Sequence, residues 1–171
     1  MTNQERLIVK KLWKEEITKD EFLKEFTYDI ETYKDYFEEI LEKAYTERNK
    51  LDIGDILYLG FVFDLFEKNH VNILIKLIKS DWHERHEDIV SIFHKLKAPD
   101  AIEVLYQTIL TKFDYLAYDN CASLIRKCCF ALAAINTNES WEKIEILTKS
   151  KNDDIRKSAI EQINILNGLE E

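Results

Sequence analysis

Apolar side chains recur at intervals of three and four residues along most of the chain, and strict alternation of apolar and polar residues is almost absent. This spacing places apolar side chains on one face of an α-helix. Thr18 followed three residues later by Glu21 is typical of a capped helix start. The pattern therefore predicts an all-α protein, with a short helix after Thr18 and longer helices near residues 4–13, 30–47, 52–66, 71–78 and 153–166.

The second half of the chain contains an internal repeat. A helix face before the turn at 98–100 is followed by a second helix face, and a shift of about 39 residues places the turn on 137–139. A further shift of about 30 residues maps the tripeptide 125–127 onto the identical tripeptide 155–157. Because one helix pair cannot bury its apolar face alone, repeats of this length predict stacked helix pairs.

These helix pairs resemble HEAT repeats. The segment Asn152-Asp153-Asp154-Ile155-Arg156-Lys157 looks like the start of such a repeat, and 124–129 with the turn at 137–139 looks like a second copy. The length of 171 residues predicts one domain, 1–171. The resemblance implies that a right-handed α-α superhelix of HEAT-like helical hairpins at 51–171 presents a concave protein-binding face, and we expect 1–50 to form its N-terminal helical cap.

The charge of the chain limits the classes of partner. Lys and Arg number 24 and Asp and Glu 33, giving a net charge of −9 that is spread evenly along the sequence. Without a cluster of cations to displace counterions from phosphates, we expect no nucleic-acid partner. The same charge disfavours an anionic membrane and favours a basic protein partner. The polar N-terminus and the short apolar stretch 56–66 suggest no leader peptide and no membrane span, so we expect a cytoplasmic protein.

Two segments combine aromatic and charged side chains, a composition common among interface anchors. The repeat register places both segments near the start of a first helix, so we predict that they line one edge of the stack. The predicted partner-binding residues are Trp82, His83, Glu84, Glu87, Tyr115, Tyr118 and Asp119. The alternative is that Trp82 and Tyr118 only pack against the adjacent repeat.

The same region holds the densest cluster of titratable groups. The zincin motif needs two histidines four residues apart, and His83 and His86 are only three apart. Together with Glu87 they could still bind a divalent ion. The alternative, which we favour, is a solvated helix start whose acidic groups complement the helix dipole. We therefore predict no metal site and no cofactor.

Cysteines are few: Cys121, Cys128 and Cys129. An odd count with two adjacent thiols does not favour a disulfide framework. A nucleophilic role would require a nearby base and a lowered pKa. The shift of about 30 residues aligns Cys129 with Ala159. This alignment favours a role for the cysteine as a small residue of the core. No catalytic residue is predicted.

Three functions remain from the sequence. The first is a non-catalytic protein-binding module, in its sharpest form an acidic immunity or inhibitor protein that binds a basic toxin domain, a role that some bacterial HEAT-like proteins have. The second is an enzyme or enzyme accessory resembling the phycobilin-lyase-like or alkylpurine DNA glycosylase members of the family. The third is a general adaptor or scaffold.

Overall fold

The computed structural model describes residues 1–26 and 30–169 and is helical, with no strand in either range. This confirms the all-α prediction. The chain divides into two compact units, Met1–Phe66 and Glu67–Glu171. The first holds α1 (Asn3–Trp13), α2 (Lys19–Glu25), α3 (Ile30–Thr46) and α4 (Lys50–Val62). The second holds α5 (Val71–Ile78), α6 (His86–Leu96), α7 (Ile102–Leu110), α8 (Ala122–Ile135), α9 (Asn138–Leu147) and α10 (Asp153–Leu166). Short 3-10 helices occur at Lys68–His70, Pro99–Ala101 and Asp114–Asp119.

Local capping signals set most of these helix bounds. Thr18 accepts a hydrogen bond from the Glu21 N–H, and the Glu21 carboxylate accepts one from the Thr18 N–H, which confirms the predicted capping box. The predicted start of α4 at Asp52 is wrong by about one turn. Asn49 is the N-cap and accepts the Asp52 N–H at 3.1 Å. The helix also ends earlier, at Val62, before Asp64 in the left-handed region.

The core of the first unit surrounds α4, which packs against α1 and α3. The apolar side chains Ile53, Ile56, Leu57 and Leu59 of α4 are buried, whereas Leu51 and Phe61 are exposed. α4 belongs to the Met1–Phe66 unit with the other N-terminal helices, although the predicted repeats begin at residue 51.

Gly60 lies where α4 meets two aromatic rings. The rings of Phe37 and Phe66 pack edge to face at a centroid distance of 5.5 Å. A Cβ atom at Gly60 would overlap two ring carbons of Phe66 and would lie only 2.9 Å from Cζ of Phe37. The absent side chain therefore makes room for the two phenylalanines.

Gly60→Ala is expected to destabilise the protein, although alanine favours a helix interior by about 1 kcal/mol over glycine. Displacing the packed rings costs about 1–3 kcal/mol and outweighs the gain in helix propensity. The free energy of unfolding from urea titration checks this. A more stable Gly60→Ala protein would contradict the packing.

A buried carboxylate joins α1 to α4. Asp52 is 1% exposed, and its Oδ1 and Oδ2 accept hydrogen bonds from Nε and Nη2 of Arg6 at 2.6 and 3.0 Å. The amino group of Met1 donates to Oδ2 at 2.9 Å. Burial raises the pKa of Asp52, but the hydrogen bonds and charges of Arg6 and the amino group outweigh burial and hold that pKa below its usual value.

The second unit is organised around α8, which packs against α6, α7, α9 and α10. The buried face of α8 includes Cys128 and Cys129, and Cys129 and its repeat equivalent Ala159 are both fully buried. Arg126 donates to Glu161 of α10 at 2.6 and 3.0 Å. Arg156 instead bonds Asp153 and the carbonyl of Ser150, close to its own position in the chain.

Candidate functional site

The structure brings the two predicted segments together at one edge of the second unit. The Nδ1 atom of His86, the first residue of α6, lies 2.9 Å from the hydroxyl of Tyr115. The His86 ring also packs against Phe113 at a centroid distance of 4.0 Å. Phe113 and Tyr115 lie at the start of the 3-10 helix Asp114–Asp119, which belongs to the connection between α7 and α8. His86 therefore joins this connection to the start of α6.

Hydrogen bonds fix the tautomers of both buried histidines. Nε2 of His86 lies 3.0 Å from the carbonyl oxygen of Ser80, and Nε2 of His83 lies 2.9 Å from that of Leu77. A carbonyl oxygen only accepts, so each Nε2 carries the proton and donates it. Nδ1 of His83 then accepts the Arg85 N–H at 3.1 Å, and Nδ1 of His86 accepts the Tyr115 hydroxyl.

The interior of this edge is uncharged at neutral pH. Burial and the neighbouring His83 lower the pKa of His86 to about 4, although its hydrogen bond to Ser80 acts in the opposite direction. Burial also lowers the pKa of His83 and raises the pKa of Tyr115 to about 12. His86 and Tyr115 are therefore both neutral near pH 7. The cluster is a rigid, neutral core beneath the surface.

The interpretation of residues 83–88 as a solvated helix start is wrong for its histidines. His83 is 1% exposed and His86 is fully buried, and their rings stack at a centroid distance of 4.7 Å. His83 is thus removed from the predicted contact surface. All four ring nitrogens bond protein groups. Among the side chains that the structure describes, at 1–26 and 36–169, no group of three or more His, Cys, Asp or Glu is arranged to hold a metal ion.

The outer layer of the edge is formed by the other predicted residues. Tyr118 is 78% exposed and Glu84 is also exposed, whereas Trp82, Glu87 and Tyr115 are half-buried. The Trp82 ring packs edge to face on His83 at 5.1 Å. Glu87 pairs with Lys127 of α8 at 2.7 Å. Tyr118 and Glu84 are therefore the members of the predicted set that are most accessible to a partner.

Asp119 accepts a hydrogen bond from the backbone at the start of α8. Its Oδ2 accepts the Ser123 N–H at 3.0 Å, which satisfies a donor in the first turn of α8. The hydrogen bonds from Ser123 lower the pKa of Asp119, so the carboxylate is ionised at neutral pH. A negative charge here also complements the positive end of the helix dipole.

The contact of Phe113 with His86 was not predicted, and His86 was predicted only as a possible metal ligand. The hydrogen bond from His86 to Tyr115 joins residues 29 apart in the chain, and no periodic signal marks that pair. The two carbonyl partners of the histidines, on Leu77 and Ser80, belong to the backbone of the preceding turn and have no side-chain signature.

The cysteines do not supply a nucleophile at this edge. All three thiols are buried and free. Burial raises the pKa of Cys129 to about 12 and also raises the pKa of Cys128 well above its ordinary value. Because the thiolate is the reactive form, these two side chains act as small core residues.

In the described ranges, none of the helices combines the length and the apolar composition that crossing a bilayer requires. Comparison of the chain with protein-family models, with curated proteins and with solved structures found no match in any of the three.

Proposed function

We propose that this protein is a non-catalytic protein-binding module, and that its favoured special form is a cytoplasmic immunity or inhibitor protein that binds a basic toxin domain. One observation carries the proposal. The large aromatic side chain of Tyr118 is 78% exposed beside the connection that His86 and Tyr115 hold in place. We name the exposed layer formed by Trp82, Glu84 and Tyr118 the aromatic edge.

An exposed tyrosine on a rigid support suits a binding surface. Tyrosine and tryptophan are enriched among the residues that contribute most of the energy of protein interfaces. The neutral cluster beneath them, with His83 and His86 both fully hydrogen-bonded, holds the aromatic edge in one arrangement. A preordered surface loses less conformational entropy on binding, which favours tight association.

The charge around the aromatic edge suits a basic partner. Over 81–87 and 112–119 the exposed carboxylates, at Asp81, Glu84 and Asp114, outnumber the exposed cations Arg85 and Lys112. The whole chain carries −9, which accelerates encounter with a cationic protein. Electrostatic complementarity of this kind contributes more to the association rate and to specificity than to affinity.

The HEAT-like stack is part of the same proposal. α8 lies between α6 and α10, and α7 packs on α9, so the second unit has two rows of helices. Glu87 pairs with Lys127 of the next first helix, and Glu103 pairs with Lys143 of the next second helix at 2.6 Å. These two pairs connect equivalent rows at the same sequence separation, which supports the repeated hairpin of the proposed HEAT-like stack.

The test is a quantitative pull-down from native cytoplasm with the tagged full chain and a variant of the aromatic edge. Glu84→Lys with Tyr118→Ala removes the exposed anchor and reverses one charge, and Asp119 stays in place as a helix cap. We expect one basic protein in stoichiometric amount with the native chain, and at least about tenfold weaker retention with the variant, or about 1.4 kcal/mol.

The matched control is Glu145→Lys with Leu110→Ala, which changes an exposed acid and an exposed apolar residue on α9 and α7. Equal retention by the native chain and both variants would place the binding surface elsewhere. A basic toxin domain as the retained protein supports the immunity form, and a different basic protein supports an adaptor.

A further inference from the structure

A groove runs between α6 and α8 in the second unit, with a volume of about 400 Å³. Val90 and His94 of α6 contribute to one wall, and Arg126, Lys127 and Phe130 of α8 form the other. The groove stays open because serines, not larger residues, lie at positions 91 and 123. The aromatic edge shares none of these residues.

The lining of the groove is cationic although the protein is acidic overall. Arg126 and Lys127 line it, and none of its lining residues is a carboxylate. The carboxylates that pair with the two cations, Glu161 and Glu87, lie outside the lining. The groove is therefore complementary to a negatively charged group.

Both cations keep donors for a ligand. Arg126 uses Nε and Nη2 to bond Glu161, and its guanidinium carbon lies 4.8 Å from the ring centre of Phe130. Lys127 bonds Glu87 with one donor. Because a guanidinium has five N–H donors and an ammonium three, each side chain can bond a further carboxylate without losing its present partner. The arginine is also 59% exposed.

The shape of the groove matches a helix. Ser123, Arg126, Lys127 and Phe130 are spaced as one stripe over about two turns of α8, roughly 10 Å. We propose that the groove binds an acidic amphipathic helix of a partner protein. Its apolar side chains pack on Phe130, and its carboxylates bond Arg126 and Lys127. In helix-in-groove recognition the bound helix presents anchors at i, i+3, i+4 and i+7, which span about the same 10 Å as the groove.

This inference is independent of the proposed function. It uses the outer face of α6 and α8 and an acidic ligand, whereas the aromatic edge uses the preceding connections and a basic ligand. Either can fail without the other. A partner with both an acidic helix and a basic surface would engage both sites at once.

The probe is a capped, alanine-based peptide of about 15 residues, long enough to populate a helix. It carries leucine and glutamate on one face, and a control peptide has glutamine in place of each glutamate. Titration of the ¹⁵N-labelled full chain is followed by amide chemical shifts. We expect saturable shifts at α6 and α8 with the glutamate peptide and at least about tenfold weaker binding of the glutamine peptide. Salt should weaken the binding of the glutamate peptide, because the charged contacts are exposed.

Two variants test the groove itself. Arg126→Gln with Lys127→Gln should weaken the glutamate peptide by at least about tenfold, whereas Lys149→Gln with Lys151→Gln, an equal charge change at exposed sites, should not. Ser123→Phe fills the groove without changing charge and should also abolish the shifts at α6. Equal affinity for both charge variants, undiminished binding by Ser123→Phe, or no saturable shift at about millimolar peptide overturns the proposal.

Discussion

Asp52→Ala is expected to lower the free energy of unfolding by about 3–5 kcal/mol, because removing one partner of a buried ion pair leaves the other charge uncompensated. The carboxylate is 1% exposed and bonds both Arg6 and the amino group of Met1. Arg6 is one-third exposed and can recover some hydration, which favours the lower part of this range. Urea titration followed by circular dichroism gives the free energy.

The matched control is Asp20→Ala in the first turn of α2, where the carboxylate is exposed. We expect a loss of about 0.3–1 kcal/mol there, from the helix dipole alone. Equal effects of the two substitutions would show that the bonds of Asp52 to Arg6 and to the amino group contribute little to stability.

Acidification is expected to destabilise the second unit through His86. Its pKa is about 4 in the folded protein and about 6.5 when unfolded, so between these values the unfolded state binds more protons. The contribution of His86 is therefore complete above about pH 6.5 and is lost as the pH falls toward 4. By pH 4.5 the loss reaches about 2.5 kcal/mol. Depression of the His83 pKa acts in the same direction.

The pKa of His86 can be measured without a variant, by NMR titration of its ring protons in the native protein. Urea titrations at pH 7 and 4.5 then compare the native chain with His86→Gln, in which the part of the acid loss that is due to His86 should disappear. His94→Gln, at an exposed histidine, should keep that loss. A folded-state pKa of His86 near its unfolded value would contradict the buried, hydrogen-bonded geometry.

The parts of the fold that local signals determine could be predicted from the sequence. The predicted bounds of α5 and α10 match the structure, and Gly168, two residues after α10, has a positive φ that is typical of a helix end. Thr18 and Thr137 both form capping boxes. These features depend on a few neighbouring residues, so a single sequence contains the information for them.

The start of α4 and the grouping of helices depend on more distant contacts. Both Asn49 and Asp52 are suitable N-cap residues, and the choice of Asn49 leaves Asp52 in the helix to bond Arg6 of α1. That ion pair joins residues 46 apart. Helical periodicity shows which face of α4 is apolar but not which helices cover it, so it could not place α4 in the Met1–Phe66 unit.

The sequence predicted that the two segments of the candidate site lie along one edge, but it did not predict that the histidines are buried. The repeat register placed 82–87 and 115–119 along one edge, and the bond from His86 to Tyr115 confirms that they are neighbours. The burial of both histidines was not predicted, since polar side chains in a charged segment are usually exposed. Backbone carbonyls of Leu77 and Ser80 make that burial possible by accepting the ring N–H groups.

The most direct measurement of the central claim is the dissociation constant of the purified full chain with the basic protein it retains, determined by calorimetry at low and high salt. The proposed acidic aromatic edge predicts nanomolar affinity in a one-to-one complex. It also predicts weakening by salt and at least about tenfold weaker binding by the Glu84→Lys, Tyr118→Ala variant. Micromolar affinity that neither salt nor this variant changes would contradict it.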